Sequence, residues 1–276
     1  MFFNRIFVYW KVRRFLMKRF INDIKKFFNY TVFSAKADLK SEVADSFLSW
    51  LWWILDPLLY MLVYSFIAIV VFKSGEPYFP VFVFIGMNCW TFFSKTVKSA
   101  VKLVKDKKMI VTKVYIPKYM FIFEKIGVYG FKMLVSFILT ALLMVIYQVP
   151  LSWRMFYAIP LMIILLIGTF AASTIITHFG VFVDDLSNVI TVVLQLMFYM
   201  SGIFYSIENR VPAPFSEWLL KLNPVALIIT DLRRVLLENS DPHFFSLLAW
   251  LGISIIVAII GVRTIYKQEN SYVKVI

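Results

Sequence analysis

Few residues in this sequence have the types and spacing that catalysis requires. Ser99 and Lys102 match the Ser-x-x-Lys pattern of a nucleophile with its base, but they fall in a lysine-dense stretch, and so short a pattern often arises by chance. Asp184 and Asp185 are the only adjacent acids. The sequence contains neither a glycine loop ending in Gly-Lys-Ser/Thr nor a His-Glu-x-x-His motif. We therefore predict no catalytic residue and no phosphate-loop nucleotide site.

Metal and disulfide chemistry also lack the residues they need. The chain has one cysteine, Cys89, inside an apolar run, and two histidines, His178 and His243, far apart in the sequence. A structural zinc site needs four nitrogen, sulfur or oxygen ligands, and a disulfide needs two cysteines. We predict neither a metal site nor a disulfide.

Charged residues inside apolar segments are the next place where function is expected. Glu124, Lys125 and Lys132 lie near one end of a long apolar run, and Glu124 and Lys132 share a helical stripe because they are eight residues apart. One interpretation is a polar wall along a substrate entrance. The other is that the lysines extend to the phosphates of lipid headgroups.

Aromatic residues make up 18% of the chain. An aromatic face with a polar tip suits a sugar ring, which presents C–H faces and hydroxyls. Ordinary lipid-facing or packing aromatics are the alternative, because bulky rings are common in apolar spans. The aromatics placed to contact a sugar within or near two apolar runs are Tyr60, Tyr64, Phe198, Tyr199, Phe204 and Tyr205.

Composition decides the environment in which these residues act. Of the 276 residues, 61% are hydrophobic and 16% are charged, and the mean hydropathy is +0.79. This balance is typical of an integral membrane protein. The net charge of +13 lies at the ends of the apolar runs. It therefore indicates orientation and contact with anionic lipid, and no nucleic-acid partner.

The apolar runs predict an all-α membrane protein with six transmembrane helices. A span needs about 20 apolar residues at 1.5 Å rise per residue. Pro57, near the start of the first span, predicts a kink. The predicted spans cover residues 51–72, 78–93, 121–146, 155–179, 189–205 and 244–265.

Two helices are predicted before the first span. Residues 1–28 place apolar and basic side chains on different faces, which is typical of an amphipathic helix on an anionic leaflet. Packing on a partner protein is the alternative. Residues 35–50 repeat apolar positions with helical spacing and form a second short helix. The predicted regions are 1–50 at the membrane surface, 51–266 in the membrane, and a polar tail over 267–276.

The stretch after the fifth span is apolar but interrupted. Pro212, Pro214 and the Asn223-Pro224 pair break it, and Arg233 and Arg234 lie inside it. Backbone that leaves a helix at membrane depth must be buried in protein or line a cavity. We therefore predict a re-entrant helical hairpin over 212–237 that forms the outer wall of a transport path.

Basic residues set the orientation. Twenty-one lysines and arginines fall on the side of the two termini, and six fall on the other side. The positive-inside rule then places both termini in the cytoplasm and the 212–237 segment outside.

Several stretches resemble the permease subunits of type-2 ABC exporters, in the branch that moves polysaccharides and polyol phosphates such as O-antigen and teichoic acid. They are DLKSEVADSFLSWLWWILDPLL, KVYIPK, FVDDLSN, YMSGIFYS and NPVALIITDLRRVLL, within residues 35–270. Asp184 and Asp185 stand where many members have an Arg-Asp pair.

The resemblance implies a mechanism. Two copies pair about a two-fold axis, with spans one and five of each copy facing the partner. Two separate cytoplasmic ATPase subunits bind ATP and magnesium, so this chain itself carries no cofactor. A coupling helix at 35–46 enters the ATPase, whose closure opens a channel at the dimer interface. A lipid-linked glycan then crosses the plasma membrane of a bacterium, and 212–237 gates the exit.

The resemblance also implies residue roles. The ATPase-coupling positions are Leu39, Glu42, Val43, Asp45, Lys113, Asp184 and Asp185. The substrate-channel positions are Trp53, Tyr60, Tyr64, Phe198, Tyr199, Phe204 and Tyr205. The outer-gate positions are Pro212, Trp218, Asn223, Pro224, Arg233 and Arg234.

Two other functions stay open at this point. A drug or small-lipid exporter would have a narrow apolar cavity. A membrane-embedded glycosyltransferase would need acids or histidines clustered at one membrane face, and Asp184 with Asp185 are the only adjacent acids.

Overall fold

The computed structural model describes residues 2–44, 48–71 and 76–275, and these residues form helices without any strand. Two 3₁₀ helices, Ser49–Leu51 and Trp153–Tyr157, and a π-helix, Ile67–Val71, join the α-helices. The α-helices are α1 (Phe2–Ala44), α2 (Trp52–Phe66), α3 (Phe79–Asp106), α4 (Lys108–Val111), α5 (Tyr119–Ile146), α6 (Ala158–Phe182), α7 (Leu186–Met200), α8 (Ile207–Arg210), α9 (Phe215–Leu222), α10 (Pro224–Leu236) and α11 (Phe244–Val275).

The region before the first span is one helix, so the prediction of two separate helices over 1–28 and 35–50 was wrong. Helix α1 runs through 43 residues without a glycine or proline to stop it. Its buried side packs on α5, with Phe20, Ile24 and Phe27 against the core. Ile21 and Phe28 stay exposed on another side, so this helix contacts the protein and still presents an apolar surface.

Helix α3 is the centre of the fold. It contacts α2, α5, α6, α7 and α10, and most of its residues are buried. The second predicted span, 78–93, ended too early, because the helix continues into the lysine-rich stretch as far as Asp106. Val97, Val101 and Val104 continue the helical repeat and are buried, while the lysines between them face outward or lie half-buried.

Two glycines let helices approach closely around α6. A Cβ atom at Gly180 would lie 2.0 Å from the carbonyl oxygen of Val101 on α3. A Cβ atom at Gly261 on α11 would lie 2.0 Å from Oγ1 of Thr174 on α6. Helices inside lipid gain no hydrophobic driving force from association. Small residues at such crossings allow the close backbone approach through which van der Waals packing holds the helices together.

Within the part of the chain that the structure describes, three helical segments are long and apolar enough to cross a membrane: Tyr119–Ile146, Trp153–Phe182 and Phe244–Val275. Two shorter apolar helices are Trp52–Phe66 and Leu186–Met200. The fifth predicted span, 189–205, was too long, because α7 ends at Met200 and Gly202 adopts a left-handed φ of +63°. A helix of 15 residues spans only about 22 Å.

Contacts between helix ends gather at two ends of the molecule. At one end, Lys105 in the last turn of α3 pairs with Asp184 before α7, and Arg19 of α1 reaches Glu269 of α11. This end therefore holds both α1 and the last turns of the chain.

The other end holds the start of α3 and the elements between α7 and α11. Arg154 before α6 pairs with Asp241 before α11, at 2.8 Å. Arg210 of α8 pairs with Glu76 before α3, at 3.2 Å.

The polar tail predicted over 267–276 is helical as far as Val275. Tyr272 is fully buried, and its hydroxyl lies 2.8 Å from Nδ1 of His178 on α6. Tyr272 belongs to a buried apolar cluster, and this packing stabilises the last turns of α11 as a helix.

Candidate transport path

Five aromatic residues from three elements form a continuous row, which we call the aromatic seam: Tyr60, Tyr64, Phe198, Tyr199 and Phe204. Tyr64 of α2 lies 4.5 Å from Phe204, centroid to centroid, and stacks on Tyr60 at 6.3 Å. Phe198 of α7 lies 5.4 Å from Phe204 and 5.3 Å from Tyr199. The seam therefore joins α2 to the end of α7.

The seam borders an exposed apolar surface. The Tyr60 and Tyr199 rings are 55% and 61% exposed. Within the described residues, α7 has a single buried residue, Leu194, and α2 buries only Met61 and Ser65. The exposed apolar side chains of these two helices include Leu59, Leu62, Val63, Phe66, Val189, Val192, Leu196 and Met200.

Two other predicted channel residues have different positions. The Tyr205 hydroxyl donates a 2.9 Å hydrogen bond to the carbonyl oxygen of Tyr199, which holds the turn after α7 against the seam. Trp53 lies apart from the seam, edge-on to Phe131 of α5 at 5.7 Å. The sequence also missed Trp90 of α3, whose ring supports Phe198 at 5.7 Å.

Arg233 holds together the non-helical turn that follows α7. Its guanidinium donates to the carbonyl oxygens of Gly202 (2.6 Å), Ile203 (2.8 Å) and Phe82 (3.1 Å). The residue is 3% exposed, and its guanidinium carbon lies 3.4 Å from the centroid of the Phe82 ring. Buried carbonyls outside a helix need a donor, and this side chain supplies one to each of the turn carbonyls of Gly202 and Ile203, while Phe82 belongs to α3. Arg233 is thus a buried support of the outer segment.

Asn223 positions the second half of the outer segment. Its side-chain oxygen accepts from the backbone N–H groups of Val225 and Ala226, and its amide donates to Ser201 Oγ at 3.0 Å. Pro224 occupies the first turn of α10, where its missing N–H costs nothing. Asparagine followed by proline therefore stops α9 and starts α10.

The remaining predicted gate residues are nearer the surface. Pro212 is exposed, and Trp218 is exposed beside Phe215, at 5.8 Å between centroids. Arg234 forms two hydrogen bonds to the Glu208 carboxylate, at 3.0 and 3.2 Å. These contacts join α8 to α10.

A histidine joins the same two elements to the start of α11. The Nδ1 atom of His243 lies 2.6 Å from Asp231 Oδ1, and Nε2 lies 3.2 Å from Glu208 Oε1. Hydrogen bonds to Asp231 and Glu208 raise the pKa of His243 to about 9, against the opposing effects of burial and the Arg234 charge. The imidazolium form therefore bridges two carboxylates at neutral pH.

Ion pairs fix the last third of α1 along α5, and we call this set the α1 clamp. Lys125 lies 2.6 Å from Asp38, and Lys132 pairs with Glu42. Behind them the fully buried Glu124 pairs with Lys107 at 2.6 Å. The charges on α5 therefore hold a neighbouring helix, an arrangement that neither sequence interpretation of Glu124, Lys125 and Lys132 anticipated.

The predicted ATPase-coupling residues lie in the last third of α1, after α4 and between α6 and α7. Leu39 and Val43 are half-buried on α1, Glu42 belongs to the α1 clamp, and Asp45 lies outside the described residues. Lys113 and Asp185 are exposed. Asp184 pairs with Lys105 at 2.5 Å, and that hydrogen bond lowers the pKa of the exposed carboxyl group.

A family model described as ABC-2 type transporter matches residues 31–237 of this chain. The chain therefore belongs to the ABC-2 type transporter family, whose members are transport permeases rather than enzymes. It is also similar to a Myxococcus xanthus protein described as O-antigen export system permease protein RfbA, with 25% identity over 87% of this chain and 93% of that protein. A Klebsiella pneumoniae protein of the same description is 25% identical over 90% of this chain and 95% of its own length.

Proposed function

We propose that this chain is the permease subunit of an ATP-driven exporter that moves a lipid-linked cell-surface polysaccharide, or a teichoic-acid-like polymer, across the bacterial plasma membrane. The aromatic seam is the observation that carries this proposal. Tyr60, Tyr64 and Tyr199 offer ring faces with hydroxyl tips in one row, which is the chemistry that sugar rings take. The similarity to O-antigen export permeases favours the same substrate class.

The transport path is expected between two copies of the chain. Helices α2 and α7 both carry wide exposed apolar surfaces, and the seam lies between them. If a second copy packs there through a two-fold axis, the seams of both copies line one channel. Pairing also shelters α7, which is short for a lone span.

ATP hydrolysis belongs to a separate subunit in this proposal. The ATPase, with its ATP and magnesium, would contact the last third of α1 and the exposed residues Lys113, Asp184 and Asp185. The α1 clamp gives this contact a route into the membrane, because movement of α1 pulls on α5 through Lys125 and Lys132. Both termini lie in the cytoplasm in this topology.

Six membrane crossings and a re-entrant exit complete the proposal. Helices α9 and α10 have 8 and 13 residues, about 12 and 20 Å, and neither is long enough to cross alone. The satisfied turn at 201–203 supports a segment that enters the membrane from outside and returns. This segment closes the outer end of the channel.

Deleting the gene in its source bacterium tests the proposal. We expect the surface polymer to disappear and its lipid-linked form to accumulate on the cytoplasmic leaflet, detectable after extraction with and without permeabilising the cells. A plasmid copy of the wild-type chain restores export in the deletion strain. The same copy does not restore export when the partner ATPase binds ATP but cannot hydrolyse it. Normal surface polymer in the deletion strain, or polymer that fails to be made at all, would contradict a role in export.

A further inference from the structure

A second set of polar contacts holds α1 against the end of α11, and we call its four residues the α11 brace: Arg19, Asp23, Tyr266 and Glu269. The Asp23 carboxylate accepts hydrogen bonds from the hydroxyls of Tyr266 at 2.7 Å and Tyr119 at 3.1 Å. The Arg19 guanidinium carbon lies 4.2 Å from the centroid of the Tyr266 ring, and one of its nitrogens lies 3.4 Å from Glu269 Oε2. The end of α11 therefore fixes the first half of α1, whereas the α1 clamp fixes its last third.

Glu269 is incompletely paired in this brace. Its Oε1 atom is buried and has no hydrogen-bond partner among the described residues. Its Oε2 atom is held by Arg19, at a distance longer than that of a usual N–H···O bond. The same Arg19 nitrogen donates a shorter bond, of 2.6 Å, to the Tyr115 hydroxyl. A buried carboxylate oxygen without a donor costs stability, so Glu269 can accept a second cation.

Lys118, which immediately precedes α5, is a buried cation. The residue is 2% exposed and makes no ion pair within the described part of the chain. Its ammonium nitrogen lies 5.6 Å from the centroid of the Tyr115 ring, so Lys118 and Arg19 lie against the same tyrosine. Burial lowers the pKa of Lys118, and the negative charge of Glu269 opposes that effect. Because lysine is almost never buried unless it is paired, each of Lys118 and Glu269 offers the partner that the other needs.

We propose that Arg19 and Lys118 are alternative partners of Glu269. Arg19 holds Glu269 in this structure, and Lys118 takes its place when α1 moves away from α11. Without a replacement, the departure of Arg19 would leave a buried carboxylate unpaired, which is strongly destabilising. Lys118 carries its ammonium on a flexible four-carbon stem, which allows it to follow the carboxylate. The two positions of α1 are then closer in free energy than loss of the Arg19 contact alone would make them.

This exchange of partners rests on the proposed function in one respect, since the ATPase is what would move α1 during transport. The exchange itself is a property of this chain and needs neither ATP nor polymer. It can be tested in the purified full-length chain, because removing the Arg19 guanidinium leaves Glu269 as it would be after α1 has moved.

Thermal unfolding in detergent compares Lys118→Met in two backgrounds. In the wild type Lys118 has no described ion pair, so its replacement removes a buried charge and the Tm should stay the same or rise. In the Arg19→Gln background Lys118 pairs with Glu269, so the same replacement should lower the Tm by at least about 2 °C. Lys118→Arg keeps the charge and should not lower the Tm of Arg19→Gln. Equal changes of Tm in the two backgrounds would overturn the proposal.

Matched variants separate an exchange of partners from a general loss of stability. Lys108→Met removes an exposed lysine of α4 and should change the Tm equally in both backgrounds. Glu269→Gln removes the carboxylate, so the difference between the backgrounds should disappear, and its persistence would show that Lys118 acts on another group. If Arg19→Gln does not fold, Arg19→Lys gives a milder background for the same comparison. Because ATPase and polymer are absent, equal effects here would leave the export proposal standing, and a failure of export in cells would leave this comparison unaffected.

Discussion

The Nζ atom of Lys125 lies 2.6 Å from Oδ2 of Asp38, and this contact joins α5 to the last third of α1. Burial disfavours the Asp38 carboxylate, but the hydrogen bond and charge of Lys125, with the charge of Lys107, outweigh it and lower the pKa of Asp38. The pair is therefore ionised at neutral pH and holds α1 in place.

The α1 clamp is testable by exchanging its charges. Asp38→Lys places a third cation beside Lys125 and Lys107, and we expect backbone amides of residues 30–44 to exchange hydrogen at least several-fold faster. The double variant Asp38→Lys/Lys125→Asp restores an opposite pair and should slow exchange again. Hydrogen exchange with mass spectrometry measures both. Lys40→Gln, an exposed change on the same helix, is the control. No recovery in the double variant would exclude the clamp.

Arg233 should be the most costly single residue to replace in the outer segment. Arg233→Met leaves the buried carbonyl oxygens of Gly202 and Ile203 without their donor, and each such loss costs about 1–3 kcal/mol. We expect a loss of stability on the order of 3 kcal/mol or more, seen as a large fall in Tm in detergent. Lysine should not rescue it, because an ammonium lacks the fork that reaches three oxygens. Arg234→Met, at a more exposed ion pair, should cost less.

Two glycines of α11 give a matched test of helix packing. Gly261→Ala forces a Cβ atom into Thr174 of α6, which should destabilise the protein by about 1–3 kcal/mol. Gly252→Ala meets no atom within 4 Å and should stabilise the helix by about 0.5–1 kcal/mol. Thermal unfolding in detergent measures both. Equal effects of the two substitutions would contradict the close crossing of α6 and α11.

Hydropathy and spacing predicted much of the helical framework. Helix α5, Tyr119–Ile146, begins two residues before the predicted third span and ends at the same residue. The agreement is close because a long unbroken apolar run at helical length predicts a membrane helix directly. The predicted helix bounds were wrong where tertiary packing, and not local composition, decides whether the chain stays helical. The lysines after residue 93 suggested a loop, yet buried valines keep α3 helical to Asp106.

The candidate site was predicted less completely than the helices. Aromatic residues in two apolar runs identified the members of the seam, but only the fold showed that Trp53 lies elsewhere and that Trp90 supports Phe198. Arg233 looked like a gate residue from its place in the sequence. Its three carbonyl partners are 30 to 151 residues away, and no local pattern reports such contacts.

The aromatic seam makes a prediction about transport. Alanine at Tyr64 or Tyr199 removes a ring with its hydroxyl tip from the row, so polymer export should fall by about tenfold or more while the ATPase still assembles with the permease. Export is measured as surface polymer per cell, and assembly by co-purification. Tyr147→Ala, at an exposed tyrosine away from the seam, is the control. If it impairs export as strongly as the seam variants, sugar contact at the seam is excluded.

The protonated form of His243 stabilises the folded protein, so stability should fall as pH rises into the alkaline range. Its pKa is raised from 6.5 to about 9 by Asp231 and Glu208. The folded protein therefore keeps a proton that the unfolded chain releases, so the stabilisation is fully present below pH 6.5 and is lost as pH rises through about 9. We expect the Tm of the wild type to fall over this range, and His243→Gln to remove that part of the fall. His178→Gln, at a histidine far from both carboxylates, should keep it. An identical pH profile for the wild type and His243→Gln would show that the bridge between α8, α10 and α11 does not depend on the imidazolium.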